Sequence, residues 1–290
     1  LKPQRYNQSS PTRTSRKRGN RTGFIITKTI VRFIFPSDYF NPKQADAAYI
    51  EQMTCLQNAG FATSVISIES LGSGLAKIIP VPDRDLPVVY RGWMLSPADY
   101  ELLVRLVEST EARVLTSPTK YLAAHYLPNW YPLIADLTPE TKFYAIDDDL
   151  ESALNGLNWQ GFFIKDYVKS LKTSVGSTIY NPSEISTVVS EMQKFRGHIE
   201  GGICVRRLED FASETERRYF VIRDRAFAAS PDDRVPDIVT ECAQRIKSQF
   251  FSVDAIELKD GTKRIVEIGD GQVSDLVRWT AERFARIWLP

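Results

Sequence analysis

Cysteine and histidine are scarce in this chain: three of the first and two of the second among 290 residues. Cys55, Cys204 and Cys242 are far apart and show no C-x-x-C spacing. They offer neither a zinc cluster nor a disulfide framework, and the sequence reads as a reduced, cytoplasmic protein. His125 and His198 stand alone, so no Ser/His/Asp or Cys/His set suggests a side-chain nucleophile. Long apolar runs are missing as well. The best candidate, GFIITKTIVRFIF at 23–35, is too short to span a bilayer and is interrupted by Lys28 and Arg32. Its second half reads as a buried first strand. GSG at 72–74 lacks the Lys-Ser/Thr of a phosphate loop and reads as a turn. Acids are absent from residues 1–21, which carry Lys2, Arg5, Arg13, Arg16, Lys17, Arg18 and Arg21. Residues 1–22 are expected to be a disordered basic tail, because a stretch so poor in apolar side chains cannot build a core. The remainder then holds 30 basic residues against 36 acidic ones. An acidic body argues against nucleic acid as the main partner.

What is present suits a globular protein: 43% hydrophobic and 25% charged residues. VRFIFPSD (31–38) reads as a strand, KQADAAYIEQMTCLQNAG (43–60) as a helix and ATSVISIE (62–69) as a second strand. VVYRG (88–92) is a third strand, and SPADYELLVRLVEST (96–110) is a helix capped by Ser96 with Pro97 in its first turn. RVLTSP (113–118) reads as a short strand. The spacing therefore predicts an α/β domain over 23–118 with a parallel sheet. A helical stretch rich in Tyr, Trp and Pro follows at 119–146. Beyond residue 160 come GFFIKDY, VGSTIY, GICVRRLEDF, RRYFVIRDRAFAAS, FFSVDAIELKDG and KRIVEIGD, all strand-like, with helices at 182–196 and 236–248. This pattern predicts an α+β domain over 119–290. SDLVRWTAERFARIW (274–288) is expected to be an amphipathic helix whose Trp and Phe pack on the core.

Asp260-Gly261 signals a hairpin. A two-residue loop there would set Glu257 against Arg264, Ile256 against Ile265 and Asp254 against Glu267. Facing carboxylates repel, so something positive should compensate. Oxygen ligands without His or Cys suit Mg²⁺, and Asp270, just past the strand in a glycine-flanked turn, is placed to add a third oxygen. The alternative is a solvated hairpin end, since a one-residue register slip separates the pair. Mg²⁺ on carboxylates usually also binds substrate phosphates. Upstream, Lys165, Lys169 and Lys172 precede a Gly/Ser loop, and ETERRYFVI places Glu216, Arg217 and Arg218 at the mouth of a strand.

In this order the parts resemble the ATP-grasp fold. VVYRGWMLSPADY (88–100), FIKDYVKS (163–170), ERRYFV (216–221) and VEIGDGQVSDL (266–276) are similar to the divergent clade named for two arginines and a lysine. The likeness spans roughly residues 31–280. It implies an α/β N-terminal domain followed by an α+β ATP-grasp domain that binds ATP and Mg²⁺. By this resemblance Lys165 contacts the nucleotide and Arg206 lies in the strand leading to the adenine-binding linker, where commoner members carry Glu. Arg218 sits near the transferred phosphate, and Arg91 faces the cleft from the first domain. Lys120 matches an earlier nucleotide lysine. Asp254, Glu267 and Asp270 are the implied Mg²⁺ ligands, although the chain has Glu267-Ile-Gly269 where commoner members have Glu-x-Asn. The implied activity is ATP-dependent joining of a carboxylate to an amine through an acyl phosphate, with peptides or proteins as the substrates proposed for the clade. The alternative is an ATP-binding assembly factor without ligase turnover, and no membrane partner is expected.

Overall fold

A computed structural model describes residues 31–168, 170 and 175–290, and for Arg196 the backbone alone. The basic tail, the first half of 23–35, Lys169 and Lys172 lie outside the described residues.

A strand buried on both faces should be apolar throughout, and β1 (Arg32–Pro36) carries fully buried Phe33, Ile34 and Phe35. It runs parallel to β2 (Ala62–Ile66) and β4 (Pro87–Tyr90). Helix α1 (Ile50–Asn58) joins β1 to β2, starting later than the sequence suggests. Strands β3 (Ile78–Ile79) and β5 (Arg113–Val114) complete a sheet of order β3-β2-β1-β4-β5. Helix α2 (Pro97–Glu108) begins as its cap predicts: the Asp99 amide donates to Ser96 Oγ at 3.1 Å. Gly92, just after β4, permits a close approach that no side chain could, because a Cβ there would lie 2.6 Å from Pro36 at the end of β1.

Two short helices follow, α3 (Pro118–His125) and α4 (Leu127–Ile134). The expected helical stretch then gives way to a strand, β6 (Thr141–Tyr144), and to α5 (Leu150–Asn155). β6 joins β7 (Phe162–Asp166), β8 (Thr178–Ile179) and β9 (Ile203–Arg207) in an antiparallel sheet of order β6-β9-β7-β8. Helix α6 (Ile185–Arg196) and α5 cover its far face through Leu154, Val188 and Met192.

The third sheet, order β11-β10-β12-β13, holds β10 (Arg217–Ile222), β11 (Arg225–Phe227), β12 (Phe250–Glu257) and β13 (Lys263–Asp270). Helix α7 (Asp237–Arg245) packs with α3 and α4 against one face, where Val253, Ala255, Ile265 and Ile268 meet Trp130 and Cys242. The other face receives α8 (Ala281–Arg286). Only this part of 274–288 is helical; it begins at Thr280, whose Oγ1 accepts from the Arg283 amide at 3.0 Å. Phe284, Trp279 and Trp288 are buried as expected, but in a cluster shared with Phe33 and Phe35 of the first sheet.

The β12–β13 hairpin departs from the expected register near its turn. Leu258 N–H donates to Thr262 O, and Gly261 takes φ +88°, so three residues form the loop rather than two. Glu257 consequently faces Lys263, and Ile256 faces Arg264. An irregularity beside Val266 then absorbs one residue, and from there Asp254 faces Glu267 after all.

Candidate functional site

Four charged side chains meet along one line. Arg218 on β10 is the register partner of Asp254 on β12, which is the partner of Glu267 on β13. Register partners share a face, so the three lie in a row across the sheet. Arg218 grips Asp254 with two bonds, Nε to Oδ1 at 2.8 Å and Nη2 to Oδ2 at 2.6 Å. Lys165, on β7 of the neighbouring sheet, donates to Glu267 Oε1 at 3.1 Å. The repulsion expected between the facing acids is thus answered by two cations, one on each side.

The environment makes these carboxylates unequal. Burial, with help from Glu267, pushes the Asp254 carboxyl up against the pull of Arg218. Glu267 is also subject to burial, but Lys165, Arg218 and Arg206 together hold it below its ordinary value. Its side chain keeps 42% of its surface, turned toward a cleft of about 490 Å³.

Arg206 is buried on β9, and burial lowers its guanidinium to about 10. It donates to Val266 O and to Thr138 Oγ1, the latter at 2.6 Å. Val266 is the residue absorbed at the irregularity, so Arg206 holds the backbone feature that restores the Asp254–Glu267 facing. No composition signal marked that role.

Asp270 borders the same cleft but is not part of this row. It is three residues beyond Glu267, and strand alternation sends the two to opposite faces. Its Oδ1 accepts from the Gln272 amide and from Gln272 Nε2, both at 3.0 Å, while Oδ2 is buried and has no hydrogen-bond partner among the described residues. Burial pushes this carboxyl up to about 7. Among the described residues no group of three or more His, Cys, Asp and Glu is arranged to hold a metal ion. The facing pair Asp254 and Glu267 offers carboxylate oxygens of the kind Mg²⁺ prefers.

Arg91 does not line the cleft. It is 1% exposed, donating from Nε to Gln52 Oε1 at 2.9 Å and from Nη1 to Gln272 O at 3.1 Å, with its guanidinium 5.0 Å from the Phe284 ring centroid. Lys120 lies elsewhere, in a surface depression with Arg223, Asp224 and Lys247. Gln272 escaped sequence reasoning altogether. Its side chain accepts from the Tyr90 amide at 3.1 Å and donates to Tyr100 Oη at 2.9 Å, while its carbonyl accepts from the Gly92 amide at 3.0 Å. It splices the turn after β13 onto the end of β4. The second wall of the cleft, Tyr49, Trp93 and Met94, was also missed, although the carboxyl end of a central parallel strand is a signal in itself.

Residues 156–288 match the model of the ATP-grasp domain, R2K clade family 3. No curated protein sequence matches the chain. Among solved structures, the D-cycloserine synthetase DcsG superposes with a TM-score of 0.56 at 13% identity, covering 88% of this chain and 97% of that one. The macrocyclase MdnC bound with precursor peptide MdnA, from Microcystis aeruginosa MRC, gives 0.58 at 12% identity over 89% and 98%. The ATP-grasp ligase PsnB, complexed with a phosphomimetic variant of its minimal precursor, Mg and ADP, gives 0.55 at 12% over 90% and 96%. At such identities the likeness carries the fold. The fold and the family match agree with each other and with the resemblance read from the sequence: residues 156–288 match an ATP-grasp domain, and the chain has the ATP-grasp fold.

Proposed function

We propose that the protein is an ATP-dependent carboxylate–amine ligase working through an acyl phosphate. The observation that carries this reading is the row Arg218–Asp254–Glu267 with Lys165 set against its end. Asp254 and Glu267 would hold Mg²⁺, which supplies charge to neutralise the triphosphate when bound. Release of the two ion pairs would free Arg218 and Lys165 to meet phosphate oxygens. Arg218 then stabilises charge that develops on the γ-phosphoryl group as it passes to a substrate carboxylate, leaving ADP. Amine attack forms the C–N bond and breaks the bond from the acyl carbon to the phosphate oxygen, and phosphate leaves with the electron pair. No protein nucleophile is needed, in keeping with the lack of a Ser/His or Cys/His set. Peptide substrates find support in the solved complexes of MdnC and PsnB with precursor peptides.

The test is ADP release against pools of amino acids, small acids and peptides, with hydroxylamine added to trap an acyl phosphate as hydroxamate. A pool that yields both ADP and hydroxamate supports the reading. Nucleotide binding with neither product from any pool contradicts it, and leaves the ATP-binding assembly factor.

A further inference from the structure

The cleft that holds the charged row has a second wall of different chemistry. It is built where β1 and β4 end. From β1 the chain passes through α1 to β2 on one side, while β4 lies on the other. Open α/β sheets bind ligands in the crevice that opens at such a reversal, outside the carboxyl ends of the strands. The wall here is aromatic. Tyr49 and Trp93 meet edge to face, with ring centroids 5.2 Å apart. Trp93 is fixed by a 3.1 Å bond from Nε1 to Asp46 Oδ2, yet it remains 50% exposed. Met94 and Phe195 are also exposed and border the same cleft. An indole held in place while half its surface faces solvent is suited to receive an apolar group.

Charge decides what accompanies that group. Among the described residues, the cations beside the cleft are engaged: Arg218 with Asp254, and Lys165 with Glu267. Asp275 is exposed at the cleft, its position set by a 3.0 Å bond from Arg218 Nη1 to its carbonyl oxygen. Its carboxylate accepts no hydrogen bond among the described residues, and it lies close enough to Tyr49, Arg91 and Arg218 to act on all three electrostatically. A negative ligand head would meet a carboxylate of like charge here. An ammonium head would meet a carboxylate beside two aromatic rings, a combination that holds cations well.

We propose that the crevice formed by Asp275, Tyr49, Trp93 and Met94 is the acceptor-amine subsite, and that it takes a primary amine bearing a bulky apolar group. The ammonium lies toward Asp275 and the apolar body against Trp93 and Met94. The role as acceptor rests on the ligase reading; the binding does not. The ammonium gives up one proton to solvent before attack. The proton lost on C–N bond formation goes to the departing phosphate.

Calorimetry with 2-phenylethylammonium tests this, using 3-phenylpropanoate as a ligand of the same body and opposite charge. The amine should bind and the carboxylate should not. Asp275→Asn and Trp93→Ala should each weaken amine binding about tenfold, in variants whose melting temperatures show them to be folded. The inference is overturned if 3-phenylpropanoate binds as tightly as the amine, if neither variant changes the affinity, or if the amine does not bind at millimolar concentration. Binding that depends on Asp275, without ADP release from any carboxylate, sinks the ligase reading and keeps the subsite. ADP release accelerated equally by amines in wild type and Asp275→Asn sinks the subsite and keeps the ligase.

Discussion

Asp254 is matched to a cation on the neighbouring strand. Without nucleotide it neutralises Arg218, in a pair whose side chains are only 5% and 14% exposed. Breaking such a pair leaves a buried guanidinium uncompensated. Asp254→Asn should therefore lower stability by about 2–4 kcal/mol in the absence of metal, measured by urea denaturation. An unchanged midpoint would show the pair to be idle. Asp270 makes a separate prediction, in pH. Its carboxyl is pushed up to about 7 by burial, so the folded protein holds this proton more tightly than the unfolded chain does. The stability it contributes is complete below the ordinary carboxylate range and is lost as pH rises through about 7. Asp270→Asn should flatten the fall in melting temperature between about pH 4 and about pH 7. An equal fall in both proteins would contradict the burial argument.

At the scale of elements, the hairpin explains what was legible in the sequence and what was not. Apolar periodicity and caps marked β1, β2, β4, α2 and the strands of the third sheet, because each depends on local spacing. β6 was hidden in a Tyr- and Pro-rich stretch, and its existence depends on pairing with β9, far away in the chain. The facing of Asp254 and Glu267 was read from an assumed two-residue loop. The real loop has three residues, and the irregularity at Val266 restores the facing. Two departures offset each other, and neither could be seen without Arg206 on β9 and Thr138 in the loop before β6, which hold the bulged segment. That Asp270 and Glu267 fall on opposite faces, by contrast, follows from strand alternation. Gly261 at φ +88° tests how far the turn is decoupled from the site. Gly261→Ala should cost about 1 kcal/mol and leave nucleotide affinity unchanged, since Val266 and Arg206 lie between turn and carboxylates. A parallel loss of affinity in a titration would show that register is transmitted along the whole hairpin.

Across the whole molecule, α8 and the turn after β13 tie the first sheet to the third. Phe284 is fully buried between Phe220 and Phe250 and beneath the Arg91 guanidinium. Phe284→Ala should destabilise by about 3–5 kcal/mol and loosen the seam that Gln272 closes. Calorimetric unfolding would report this as a lower and broader transition, whereas a shift below about 1 kcal/mol would mean the seam is held elsewhere. We propose that the row of Arg218, Asp254, Glu267 and Lys165 is a site for Mg²⁺-ATP. It is tested most directly by calorimetric titration of a non-hydrolysable ATP analogue with and without Mg²⁺, in the wild type and in Glu267→Gln. Binding should require Mg²⁺ and weaken about a hundredfold, roughly 2.7 kcal/mol, in the variant. Affinity that is indifferent to Mg²⁺ and to Glu267, or no binding at millimolar nucleotide, would contradict it.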